Sequence, residues 1–144
     1  MTPTDRILVP LDTMDLDWAI KTAERLRGHV GGIKLGKEFI SAHGPQGIRQ
    51  VIGDDQPFFL DVKFHDIPNT VAGAIRSLAA LRPFMVNVHA FGGRAMMEAA
   101  VAANAEAGDD RPLMLAVTVL TSLDDDDLAE LGVYSNAGEQ VVRL

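Results

Sequence analysis

Apolar residues in this chain fall into short unbroken runs, each followed by a longer stretch whose apolar positions recur at helical spacing. Residues 7–11 (Ile-Leu-Val-Pro-Leu) form the first run and predict a buried strand ending at Asp12 and Thr13. Trp18, Ala19, Ala23 and Leu26 follow at helical spacing, which predicts a helix over residues 15–27. A strand over 32–36 leads into a helix over 37–52, which Gly44-Pro45 is expected to kink or split, because proline supplies no N–H to the helical ladder. The third strand spans 58–63. Its helix runs from 68 to 81, with Pro68 in the first turn, where a missing N–H costs nothing. A fourth strand over 84–89 precedes an Ala- and Met-rich helix over 93–106, in which Met96 and Met97 read as packing residues. The fifth strand, rich in Val and Thr, spans 113–120. The acidic run 124–127 reads as a solvated helix start favoured by the helix dipole, and 137–144 opens another helix. Pro10 is out of place in an interior strand, and predicts either a bulge or a strand that pairs only beyond it.

Unbroken apolar strands alternating with helices imply an α/β fold: a parallel sheet covered by helices. An open doubly wound sheet and a (β/α)8 barrel both satisfy the pattern. Polar residues recur at the C-terminal ends of the strands, at Asp12, Lys34, Asp61, Lys63, His89 and Thr121-Ser122, the edge where both architectures place their sites. No Gly-rich nucleotide fingerprint follows the first strand, which counts against a Rossmann-type domain. Five strand–helix units are visible in 144 residues, whereas a closed barrel needs eight and typically ~250 residues.

Composition narrows the function classes. With 47% hydrophobic residues, the chain can bury the core of one domain. A net charge of -7 and a pI near 4.9 count against a general nucleic-acid or anionic-membrane surface, but leave room for a small phosphorylated ligand held by a few lysines. Without cysteine there are no disulfides and no cysteine-ligated metal. Residues 1–6 lack the layout of a signal peptide, and no apolar run approaches the ~20 residues of a membrane span. A soluble cytoplasmic protein is expected.

The densest chemistry lies in residues 61–70. A strand alternates its side chains, so Asp61 and Lys63 are expected to point the same way, with Asp66 near the turn signalled by Ile67-Pro68-Asn69. Charges are costly to bury unless paired, so the cluster is either a structural ion-pair network or an active site. Lys34 reaches the same rim from the neighbouring strand and extends the cluster to Lys34-Asp61-Lys63-Asp66. Alternating charges keep one another ionised and titrate as a unit. Such an array suits a reaction in which negative charge builds up on carbon and then receives a proton. His65 is expected to turn away from the site or cap a loop, His89 to hydrogen-bond behind it, and His29 and His43 to lie at the surface or core rim. The four show no metal-ligand spacing.

These motifs resemble the orotidine 5'-phosphate decarboxylase family of UMP biosynthesis. The likeness rests on Leu11-Asp12, residues 33–38 (Ile-Lys-Leu-Gly-Lys-Glu), residues 60–70, residues 86–90 with Gly92-Gly93, and residues 117–122, in that order. Asp-x-Lys-x-x-Asp alone is shared with related phosphosugar aldolases and decarboxylases. The following Ile-Pro-Asn-Thr makes it specific. The resemblance implies a (β/α)8 TIM barrel, of which residues 1–144 would be a single incomplete domain of about five βα units. It implies Lys63 as the acid that stabilises and protonates the C6 carbanion, Asp61 beside the substrate carboxylate, Lys34 on a ribose hydroxyl, Asp12 on the ribose and Thr121 at the pyrimidine edge. It also implies a homodimer whose sites are shared, so that Asp66 and Thr70 reach the partner's site, and no metal or organic cofactor. The family's phosphate-binding Gly-rich loop and arginine segment lie near its last strands, beyond this sequence. The expectation is therefore a chain that carries the catalytic array but cannot complete a site as a free monomer. Two alternatives remain at this stage: a barrel half that is inactive or assembles with another chain, and a metal-dependent phosphosugar aldolase or decarboxylase.

Overall fold

A computed structural model of the chain describes residues 2–144. Its strands are β1 (Leu8–Pro10), β2 (Gly32–Gly36), β3 (Phe58–Phe64), β4 (Met85–His89) and β5 (Leu113–Val117). They are interleaved with helices α1 (Leu16–Leu26), α2 (Lys37–Ile52), α3 (Pro68–Leu78) and α4 (Arg94–Ala105), and followed by α5 (Asp125–Glu130) and α6 (Ala137–Arg143). All neighbouring strands pair in parallel, in the order β1-β2-β3-β4-β5.

That order decides between the two architectures. Right-handed crossovers between successive neighbours deposit every helix on the same face of the sheet, whereas a doubly wound sheet reverses its strand order and is covered on both faces. Here one core unites Ala19 and Ala23 of α1, Phe39, Ile48 and Val51 of α2, Val71 and Ile75 of α3, and Met96 and Ala100 of α4 with Ile33, Leu35, Phe58, Leu60, Val86 and Val88 of the strands. The residues alternating with these, including Lys34, Asp61 and Asn87, face the other side. The fold is thus α/β of the barrel type. Leu113 (54% exposed) and Leu115 (41%) leave the helix-free face of β5 uncovered.

Local chemistry sets the boundaries. Asp15 caps α1 by accepting a 2.9 Å hydrogen bond from the Trp18 N–H. Gly44, at φ 56° and ψ -164°, interrupts α2 just before Pro45, as the sequence predicts. The acidic run starts α5 through a capping box, in which Asp124 accepts from the Asp127 N–H and Asp127 from the Asp124 N–H. β5 stops short of the expected residue 120 because its partner β4 ends at His89, which pairs with Val117. Pro10 needs neither expected accommodation. It pairs in register with Lys34, and because the N–H groups of its neighbours face β2 (Leu11 N–H to Lys34 C=O, 2.9 Å), the missing donor falls on the outer side of β1. Among the described residues no helix is long and apolar enough to cross a membrane.

Candidate active site

Four charged side chains meet on the helix-free face, at the C-terminal ends of β1, β2 and β3. Lys34 Nζ lies 3.3 Å from Asp12 Oδ1 and 3.2 Å from Asp61 Oδ2. Lys63 Nζ lies 2.5 Å from Asp61 Oδ1. The array therefore runs Asp12-Lys34-Asp61-Lys63, which corrects the order expected from spacing. Pairing of Pro10 with Lys34 brings Asp12, the next residue on the same face of β1, against the Lys34 ammonium. Asp66 stays out of the array: it is exposed, and its Oδ1 accepts from the Ile67 N–H at 2.6 Å. Thr70 is exposed in the first turn of α3, and Thr121 sits in an exposed turn beyond β5.

Asp61 and Lys63 do not meet by simple strand alternation. Leu60 pairs with Val86 and Phe64 with Val88, so residues 61–63 stand against Asn87 alone in a bulge. Lys63 has φ 48°, a left-handed conformation that costs a side-chain-bearing residue about 1–2 kcal/mol. Inside the bulge, Asn87 Oδ1 accepts from the Lys63 N–H and Asn87 Nδ2 donates to Asp61 Oδ1, both at 2.7 Å. Asn87 was quoted in the sequence only as part of a motif. The signal that could have singled it out is an amide on the site-facing side of a strand otherwise made of good β-formers.

Burial alone would push the Asp61 carboxyl up, but donors from Lys63, Asn87 and Lys34 outweigh it and hold the group below the usual carboxylate range. Asp61 is thus an anion clamped between two ammonium groups, with Asp61 itself only 12% exposed.

His65 does not turn away from this rim. Its ring stacks on that of His89, with centroids 5.4 Å apart and planes at 17°, and His89 in turn leans on Phe91. His89 Nδ1 accepts from the Phe91 N–H at 3.3 Å, which places the imidazole proton on Nε2. Burial, then the charges of His65, Lys37 and Lys63, push His89 below its ordinary value. His29 is exposed, and His43 Nε2 lies 2.8 Å from the Met14 carbonyl.

Comparisons with known proteins place the chain in a family. The family model for orotidine 5'-phosphate decarboxylase / HUMPS matches residues 5–144. An orotidine 5'-phosphate decarboxylase of Novosphingobium aromaticivorans is 51% identical over 138 residues, covering 96% of this chain and 60% of the relative. That of Rhodospirillum rubrum is 52% identical over 143 residues, covering 96% of this chain and 58% of the relative. The crystal structure of orotidine 5'-phosphate decarboxylase from Lactobacillus acidophilus superposes with a TM-score of 0.86 at 34% identity, over 95% of this chain and 63% of that one. The chain thus spans about three-fifths of the length of these relatives. With a matching model over nearly its whole length and a shared barrel-type fold, the chain belongs to the orotidine 5'-phosphate decarboxylase / HUMPS family.

Proposed function

We propose that these residues form the catalytic centre of an orotidine 5'-phosphate decarboxylase, converting orotidine 5'-phosphate to UMP and CO2 in pyrimidine biosynthesis. The observation that carries the reading is the Asp12-Lys34-Asp61-Lys63 array, in which a partly buried carboxylate is paired on both oxygens. The bond from C6 to the carboxylate breaks, its electron pair stays on C6, and CO2 leaves. Lys63 Nζ, held as an ammonium beside Asp61, stabilises the developing negative charge and transfers its proton to C6, and solvent then returns a proton to the lysine. A fixed ammonium in a site with little water is worth far more to that transition state than a mobile one. Asp61 orients Lys63 and lies beside the substrate carboxylate. Lys34 and Asp12 contact ribose hydroxyls, and Thr121 the pyrimidine edge.

The same reading makes residues 1–144 five βα units of a (β/α)8 barrel, in a cytoplasmic homodimer. The exposure of Asp66 and Thr70, on the loop and first turn after β3, supports their reaching a partner's site. The test is a chimera in which residues 5–144 replace the matching segment of the Rhodospirillum rubrum enzyme. Formation of UMP that is abolished by Lys63→Ala is expected. A folded chimera without turnover, or one that acts on pentulose or hexulose phosphates and loses that activity in EDTA, would overturn the proposal.

A further inference from the structure

We infer that Asn87 is a positioning residue that sets the Asp61–Lys63 pair, one amide bracing both ends of the bulge; the inference rests on the catalytic reading of Lys63 given above. The bulge takes residues 61–63 out of register with β4, so the Lys63 N–H has no strand carbonyl to meet. Asn87 Oδ1 takes its place at 2.7 Å. The other half of the amide donates to Asp61 Oδ1 at 2.7 Å, the same oxygen that receives Lys63 Nζ. The amide orientation is fixed by chemistry, because its oxygen must face an N–H and its nitrogen a carboxylate. Asn87 is 2% exposed, so neither contact is replaced by bulk water if the amide is removed.

No other side chain performs both tasks from this position. Leucine has the right bulk but leaves a buried N–H and a carboxylate lone pair unpartnered. Aspartate keeps the acceptor for Lys63 but offers no donor and sets a second negative charge against Asp61. Lys63, at φ 48°, lies in a conformation that a lysine holds only when its surroundings enforce it. Asn87 is the enforcing contact on the backbone side, and Asp61 on the side-chain side. Losing the amide lets the bulge relax, so that Lys63 Nζ no longer sits where the proton must be delivered.

The experiment uses NMR on the 144-residue chain with Asn87→Leu and Asn87→Asp, and kinetics on the same substitutions in the chimera. In Asn87→Leu the Lys63 amide should exchange at least tenfold faster and the Asp61 carboxyl midpoint should rise. In Asn87→Asp the Lys63 amide should keep its protection while the Asp61 midpoint still rises. In the chimera, kcat should fall tenfold or more for both, with KM within threefold. If Asn87→Leu does not fold, the split between amide protection and midpoint in Asn87→Asp decides. Wild-type exchange and wild-type midpoint in a folded variant would overturn the bracing role, and shifted NMR readouts with unchanged kcat would overturn its catalytic consequence. The NMR readouts need no substrate, so an inactive chimera bearing the native Asn87 would count against the decarboxylase reading and not against the bracing.

Discussion

Replacing the centre of the array should cost far more than replacing its end. In Asp61→Asn the two lysines that gripped opposite oxygens of one carboxylate lose their shared counter-charge. Lys34 Nζ was 3.2 Å and Lys63 Nζ 2.5 Å from Asp61; as a scale, two unit charges ~5 Å apart repel by ~3 kcal/mol at an effective dielectric of ~20. Their side chains are 23% and 29% exposed, so each can swing partly into water and relieve some of this. A net loss of about 2 kcal/mol is expected, below the roughly 3–5 kcal/mol that breaking a fully buried pair costs, because this one is only partly buried. For a chain of this size that lowers Tm by about 6 °C. In Lys63→Met, Asp61 keeps Lys34 and Asn87 as donors, and the loss should be about 1 kcal/mol or less. The double variant Asp61→Asn/Lys63→Met removes the repulsion and should be more stable than Asp61→Asn alone, a coupling that additive sites cannot show. Urea unfolding followed by circular dichroism at pH 7 measures all three, and raising the salt to ~0.5 M should narrow the Asp61→Asn deficit by screening. The pH sign follows from the depressed carboxyl. Its contribution is complete above the ordinary carboxylate value of ~3.9 and is lost as pH falls through the lower folded value, so this acid limb should vanish in Asp61→Asn. An Asp61→Asn chain as stable as the parent, or a double variant no better than the single one, would refute the electrostatic reasoning.

Two further outcomes test the surroundings. His89 is pushed down by burial and by neighbouring positive charge, so the unfolded chain binds its proton first. Its share of stability is complete above ~6.5 and is lost as pH falls towards the folded value; urea midpoints at pH 7 and pH 5 should therefore differ less in His89→Phe than in the parent, and an equal difference would count against it. Arg82 closes the turn after α3 at φ 50°, and its ion pair with Asp110 is exposed on both sides. Arg82→Gly should relieve the left-handed strain and raise stability by about 0.5–1 kcal/mol in the same assay, whereas a lower midpoint would contradict it.

Much of this architecture is legible in local sequence. β2 and α2 lie where the sequence places them because their limits are punctuated by residues with strong backbone preferences: Gly32 and Gly36 flank the strand, and Gly44-Pro45 marks the break. The βα pattern by itself leaves barrel and doubly wound sheet open, since the two differ only in which strands become neighbours; the barrel came from the resemblance carried by the motifs, and the strand order bears it out. The site shows the same division. Lys34, Asp61 and Lys63 could be grouped because each is a charge set in or just after a short apolar run. Asp61 and Lys63 were set on one side by counting along a regular strand, but Lys63 leaves that regularity without a glycine to announce it, and Asp66, placed near the turn, lies outside the array within this chain. Asp12 takes the end position because of the register between β1 and β2, which is a fact about two segments and is written in neither. Asn87 was hidden for the same reason: its partners are Asp61 and the Lys63 backbone, on another strand.

Pro10 makes β1 a one-sided template. Towards β2 the strand offers its full set of donors and acceptors, while its other flank carries the Pro10 carbonyl with no matching N–H, at the last residue of a three-residue strand. A strand that adds on that flank must do without one ladder bond, so only a partner whose register sets no carbonyl against Pro10 pairs there at full strength. The opposite edge of the sheet, at β5, contains no proline and so no such filter on register, and Leu113 and Leu115 stand uncovered on its helix-free face.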